Sequence, residues 1–86
     1  MKYTLYSYDV WGNAKEGYDI NDRFKEYEYD LPDLSELKDK EIFKELKIAG
    51  ILRRDLKFNL LEIEGNGGDY FYFSYKGKPE FELIKE

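Results

Sequence analysis

Asp39-Lys40-Glu41-Ile42-Phe43-Lys44-Glu45-Leu46-Lys47-Ile48-Ala49-Gly50 is the stretch on which the fold turns. Ile42, Phe43, Leu46 and Ala49 recur at spacings of one, three and three, which lines them along one face at 3.6 residues per turn. Asp39 is a natural N-cap, and Gly50 stands where a left-handed C-cap belongs. Just ahead, Asp33 or Ser35 can cap a short turn carrying Leu34 and Leu37. Leu31-Pro32 closes whatever precedes that turn, because proline brings no donor to a strand ladder. One main helix is therefore expected in the middle of the chain.

Both flanks read as strands. Lys2 to Val10 is rich in Tyr, Thr and Val, residues suited to a pleated surface. Trp11-Gly12-Asn13-Ala14-Lys15-Glu16-Gly17 breaks it with two glycines around an Asn, and a second strand is expected from about Tyr18 to Asp30. Beyond the helix, Asp55 to Glu64 reads as a strand, with Leu56, Phe58 and Leu60 alternating. Gly65-Asn66-Gly67-Gly68-Asp69 is a hairpin signal, Tyr70 to Tyr75 returns, Gly77-Lys78-Pro79 turns again, and Glu80 to Ile84 is the last strand. The expectation is a single α+β domain over residues 1–86: an antiparallel sheet in the order β-β-α-β-β-β with the helix packed on one face.

At 86 residues the chain has room for one small core. Aromatic residues supply 19% of it, and each ring buries roughly 150–250 Å², so a few replace many aliphatic side chains. There is no cysteine and no histidine. Disulfide staples, thiolate nucleophiles, Cys/His zinc sites and imidazole bases are thereby excluded. The hydroxyls of Thr4, Ser7, Ser35 and Ser74 have no histidine to activate them, so the expectation is a protein that is not an enzyme. No cofactor and no metal is implied: Asp19, Asn21 and Asp22, like the Gly65–Asp69 turn, lack the calcium-loop order that closes on a bidentate Glu. After Lys2 the chain reads Tyr3-Thr4-Leu5-Tyr6-Ser7-Tyr8-Asp9, with no apolar leader, and a cytoplasmic protein is expected. Ile48-Ala49-Gly50-Ile51-Leu52 is far short of the roughly 20 apolar residues that cross a bilayer.

The charge is uneven. Fourteen basic residues against nineteen acidic ones leave −5. Residues 14–45 hold eleven acids and six bases, whereas residues 46–86 hold seven of each. On an ideal strand Glu26, Glu28 and Asp30 would project from one face at about 6.6 Å intervals, near the roughly 6–7 Å between successive phosphates of one nucleic-acid strand. With Asp33 and Glu36 they form the expected partner-binding surface, and Tyr27, Tyr29 and Trp11 are its aromatic anchors. The expected partner is a basic, nucleic-acid-binding protein. A blander account has the carboxylates merely guarding a strand edge. Two other functions fit parts of the chain. One is self-association through an open strand edge such as 80–84. The other is stacking of single-stranded nucleic acid on Tyr70, Phe71, Tyr72, Phe73 and Tyr75, served by Arg53, Arg54, Lys57, Lys76 and Lys78; the net charge opposes it.

Tyr8-Asp9-Val10-Trp11-Gly12-Asn13-Ala14-Lys15-Glu16-Gly17-Tyr18-Asp19-Ile20-Asn21-Asp22, with Gly77-Lys78-Pro79-Glu80-Phe81-Glu82-Leu83, resembles small proteins of unknown role encoded by phages and mobile elements of low-GC bacteria. The likeness spans about a quarter of the chain. It implies an inhibitor of a host nuclease or defence system, in the manner of anti-CRISPR proteins and DNA mimics, acting in the host cytoplasm. It assigns no catalytic residue.

Overall fold

In a computed structural model that describes residues 1–86, helix α1 spans Asp39–Ile48, where the apolar spacing puts it. Its N-cap is Lys38 rather than Asp39. The Lys38 amide donates to Glu41 Oε1 at 3.0 Å, and Asp39 moves into the first turn, where its charge meets the positive end of the helix dipole. At the other end Gly50 takes φ +79°. The Gly50 amide donates to the Lys47 carbonyl at 3.1 Å and the Ile51 amide to the Leu46 carbonyl at 2.9 Å, the paired bonds of a Schellman cap. Before the helix, Asp33 caps a short 3-10 turn over Leu34–Glu36.

Five strands surround this element in sequence: β1 (Lys2–Asn13), β2 (Gly17–Asp30), β3 (Leu61–Asn66), β4 (Tyr70–Tyr75) and β5 (Lys78–Lys85). They form one sheet in the order β2-β1-β5-β4-β3, with every neighbouring pair antiparallel. The expected α+β architecture, two strands, a helix and three strands, is the one adopted. Two boundaries differ. The break expected over residues 11–17 shrinks to residues 14–16, because Asn13 Oδ1 accepts from the Lys15 and Glu16 amides at 3.0 and 2.9 Å and turns the chain within three residues. Trp11 and Gly12 consequently stay in β1. The strand expected from Asp55 begins only at Leu61. Leu56 is instead buried in the core, and Phe58, in a 3-10 turn over Phe58–Leu60, meets the Phe43 ring edge-on at 5.4 Å. Leu56 in the core and Phe58 against the helix are held outside any ladder, so their alternation is not that of a strand.

The core lies on one face of the sheet. Tyr3 and Leu5 of β1, Phe71 and Phe73 of β4, and Phe81 and Leu83 of β5 meet Ile42 and Leu46 of α1. Leu31, Leu34, Leu52 and Leu56 close its margins. Phe73 stacks on Phe81 with centroids 4.6 Å apart, and the fully buried Tyr3 hydroxyl accepts the Leu34 amide at 2.9 Å, tying the connecting segment to the sheet. Strand β5 is central, flanked by β1 and β4. Residues 80–84 therefore offer no open edge, contrary to the expectation above; the edges belong to β2 and β3. No helix is long and apolar enough to cross a membrane.

Candidate functional site

Strand β1 pairs with β5 only over Tyr3–Ser7, but with β2 along its whole length. From Tyr8 onward the β1–β2 hairpin continues as a two-stranded arm with no third strand beside it. Its tip is tight: Gly12 holds φ +104°, and a Cβ there would lie 2.2 Å from the Gly17 carbonyl oxygen.

Bulges decide which side chains face which way. An extra residue in one strand of a pair re-aims its side chain and bends the ribbon. In β2 the pairing steps from Leu5↔Tyr27 to Tyr6↔Lys25, leaving Glu26 extra, and from Asp9↔Asp22 to Val10↔Ile20, leaving Asn21 extra. In β5 it steps from Phe73↔Phe81 to Ser74↔Pro79, leaving Glu80 extra. The Glu26 carboxylate accepts from the Ser7 hydroxyl at 2.7 Å, and the Asn21 amide donates to Asp9 Oδ2 at 2.9 Å. Both extra residues of β2 thus join the face that carries Leu5, the face that also holds the helix.

The outcome is a sorting of charge across β2. Register and alternation place Trp11, Phe24, Tyr27 and Tyr29 on the helix side, together with Asp9, Asp19, Asp22 and Glu26. No lysine or arginine of the arm's paired strands shares that face; Lys15 lies in the turn at the tip. Arg23, Lys25, Glu28 and Asp30 lie on the opposite side, paired with Tyr8, Tyr6, Thr4 and Lys2. Trp11 is 63% exposed, Tyr27 65% and Phe24 46%. Asp9 and Asp22 stand directly opposite one another, an arrangement of like charges that weakens a strand pair.

Where the arm joins the sheet, a cavity of about 230 Å³ opens to solvent. Leu5, Phe81, Ile51, Tyr27 and Tyr29 supply its apolar wall, and the two bulged glutamates, Glu26 and Glu80, supply its carboxylates. A smaller hollow of about 90 Å³ continues from it past Ile51 and Phe81 toward Leu56 and Arg53.

The helix-free face carries a different arrangement. Glu82, in the middle of β5, is only 3% exposed. Its carboxylate accepts from the Tyr8 hydroxyl, from the Tyr70 hydroxyl at 2.5 Å and from Arg23 Nε. The Arg23 guanidinium lies 3.8 Å over the Tyr6 ring. Burial alone would push the Glu82 carboxyl up; the bonds from Tyr70, Tyr8 and Arg23 outweigh it and hold the group below the usual carboxylate range. Burial raises the Tyr8 phenol strongly, helped by its bond to Glu82. Tyr72 is raised by burial and then by Glu64, Glu82 and Glu62. Arg23 and Tyr8 belong to the arm, Tyr70 and Glu82 to the sheet, so this cluster clasps one to the other.

The residues singled out from the sequence are dispersed by these features. Glu26, Glu28 and Asp30 do not form a single-faced row, because the bulge sends Glu26 to the helix side. Glu28 lies 3.9 Å from Lys25, Asp30 3.0 Å from the N-terminal ammonium and Asp33 3.4 Å from Lys85. Asp33 is further held by Ser35, whose hydroxyl donates to it at 2.6 Å and keeps its carboxyl low. Glu36 stands exposed on the 3-10 turn, outside the sheet. Glu26, Tyr27 and Tyr29 do come together at the cavity, and Trp11 lies farther along the same face. Of the rings considered for base stacking, Phe71 and Phe73 belong to the core, while Tyr70 and Tyr72 surround carboxylates that repel phosphate. Sequence reasoning missed Phe24, Asp9, Asp19, Asp22 and Glu80. Phe24, Asp22 and Asp19 fall on this face only after the bulges of β2 are counted, and no local signal marks a bulge; Asp9 alternates regularly with Leu5 and Ser7 but gains meaning only from the β2 residues it faces. Compared with known protein families, characterised proteins and solved structures, the chain finds no match.

Proposed function

We propose that this protein is a non-enzymatic binding module that engages a basic partner protein through the helix-side face of its β1–β2 arm. The observation that carries the reading is the sorting of β2: exposed Trp11, Phe24 and Tyr27 share one face with Asp9, Asp19, Asp22 and Glu26, while Arg23 and Lys25 are turned to the other. Nothing in folding requires this. Three large rings left between 46% and 65% exposed forgo much of the burial that folding could give them, and the facing Asp9 and Asp22 oppose strand pairing. On binding, the rings become anchors, and the carboxylates steer a cationic surface toward them. A protein with a basic groove, such as those that bind nucleic acid, is the class of partner this surface suits. Inhibition would follow from occupying that groove. The regular phosphate-like spacing is not part of the reading, since Glu28 and Asp30 face away.

The test is capture from a bacterial lysate on immobilised protein at low salt, compared with a Trp11→Ser/Phe24→Ser/Asp22→Asn variant. The native chain should retain one or a few basic proteins, and the variant should lose them while its far-ultraviolet circular dichroism and melting curve stay unchanged. Glu28→Gln/Asp30→Asn, on the opposite side, should capture as the native chain does. Equal capture by the arm variant would remove the proposal. Self-association is separated by sedimentation over a concentration series, where a binding module of this kind stays monomeric.

A further inference from the structure

The cavity at the root of the arm has a chemistry of its own. Its wall is formed by Leu5, Phe81 and Ile51, and its two carboxylates come from the extra residues of two separate bulges, Glu26 and Glu80. Neither glutamate is paired with a cation, whereas Glu28, Asp30, Asp33 and Glu82 each are. Glu26 spends one oxygen on the Ser7 hydroxyl at 2.7 Å, which fixes its side chain over the opening and leaves the second oxygen free. At about 230 Å³ the space is below the roughly 300–1,000 Å³ of small-molecule sites, yet it admits one long side chain. Apolar walls with unpaired carboxylates complement a particular shape: an alkyl stem ending in a cation.

We infer that this cavity receives a single arginine or lysine side chain from the partner, its methylene stem lying on Leu5, Phe81 and Ile51 and its charged head between Glu26 and Glu80. Arginine suits it better, because a planar guanidinium can donate to both carboxylates at once. The inference rests on the reading of the arm as a docking face and adds the one residue of the partner that the root of the arm selects. Arg53, at the far end of the adjoining hollow, lies 3.5 Å from Asp55 and does not fill the role itself.

The experiment is an NMR titration of methyl-labelled protein with n-butylguanidinium chloride, n-butylammonium chloride and the uncharged n-pentanol. The Leu5 and Ile51 methyls should shift saturably with the two cations, more tightly with guanidinium. Affinity should fall at least about tenfold in Glu26→Gln/Glu80→Gln, which weakens the charge-assisted bonds to both carboxylates. Glu28→Gln serves as the control and should titrate like the native protein. Equal response to n-pentanol, or unchanged affinity in the double variant, would overturn the inference, as would the absence of shifts. Repeating the titration on the Trp11→Ser/Phe24→Ser/Asp22→Asn variant separates the two proposals. If lysate capture by the native chain fails while the titration succeeds, the arm is at fault; if capture succeeds without the titration, the cavity is.

Discussion

The two halves of strand β1 are built from similar residues and live in different surroundings. Tyr3 to Ser7 is paired on both edges and roofed by α1, so Tyr3 and Leu5 are buried. Tyr8 to Asn13 has β2 on one edge and nothing on the other, and Trp11 is left in water. A tyrosine buried in the first half stabilises the fold far more than a tryptophan left 63% exposed in the second. What separates the roles is the end of β5 pairing, which no composition reveals. Stability is concentrated in the base, and the arm is free to display its side chains at small cost to folding.

The Glu82 cluster is where that division can be broken. Replacing Glu82 by Ala leaves the Tyr8 and Tyr70 hydroxyls without their acceptor and Arg23 without its counter-ion. Arg23 is 45% exposed and can be rehydrated, so the cost comes mainly from the two stranded hydroxyls and the space left behind, about 2–4 kcal/mol. In a domain of this size each kcal/mol lowers Tm by roughly 4–8 °C, so urea and thermal melts should both shift strongly, and the arm should lose its fixed orientation. Melts unchanged to within about 0.5 kcal/mol would show that base and arm are not clasped there.

A pH series sharpens the same comparison without a mutation. Glu82 titrates lower in the folded chain than its ordinary 4.5. Its contribution is therefore whole above that value and is lost as pH falls through the lower folded one. Tyr8, Tyr70 and Tyr72 titrate above their ordinary 10.0 when folded. Their contribution is whole below pH 10 and is lost as pH rises past it. Stability measured by chemical denaturation should be flat between these limits and fall on both sides. The alkaline fall should be smaller in Tyr8→Phe, which removes the most strongly raised phenol.

The smallest global effect is expected at the tip. Gly12→Ala drives a Cβ onto the Gly17 carbonyl at a φ of +104°, a local strain of about 1–3 kcal/mol. Because only the arm is involved, the strain is relieved by fraying. Hydrogen exchange should quicken at Asn13, Gly17 and Tyr18, while amides of Phe73 and Leu83 keep their protection. Equal loss of protection in both regions would mean that the arm and the base unfold as one unit.

By itself the sequence determined the parts: the helix, through the 3.6-residue spacing of Ile42, Leu46 and Ala49 and the cap at Gly50; the hairpins, through their glycines; and an excess of acid before residue 46. These are local properties, set by backbone sterics and by which neighbours share a face within a turn or a pleat. The tertiary structure decided that β5 lies at the centre of the sheet, that Phe58 faces the helix, that Glu82 is buried, and that bulges at Glu26, Asn21 and Glu80 redirect side chains an ideal strand would have placed elsewhere. Each of those depends on pairing between residues distant in sequence, and a one-residue offset in such pairing reverses the face of everything beyond it.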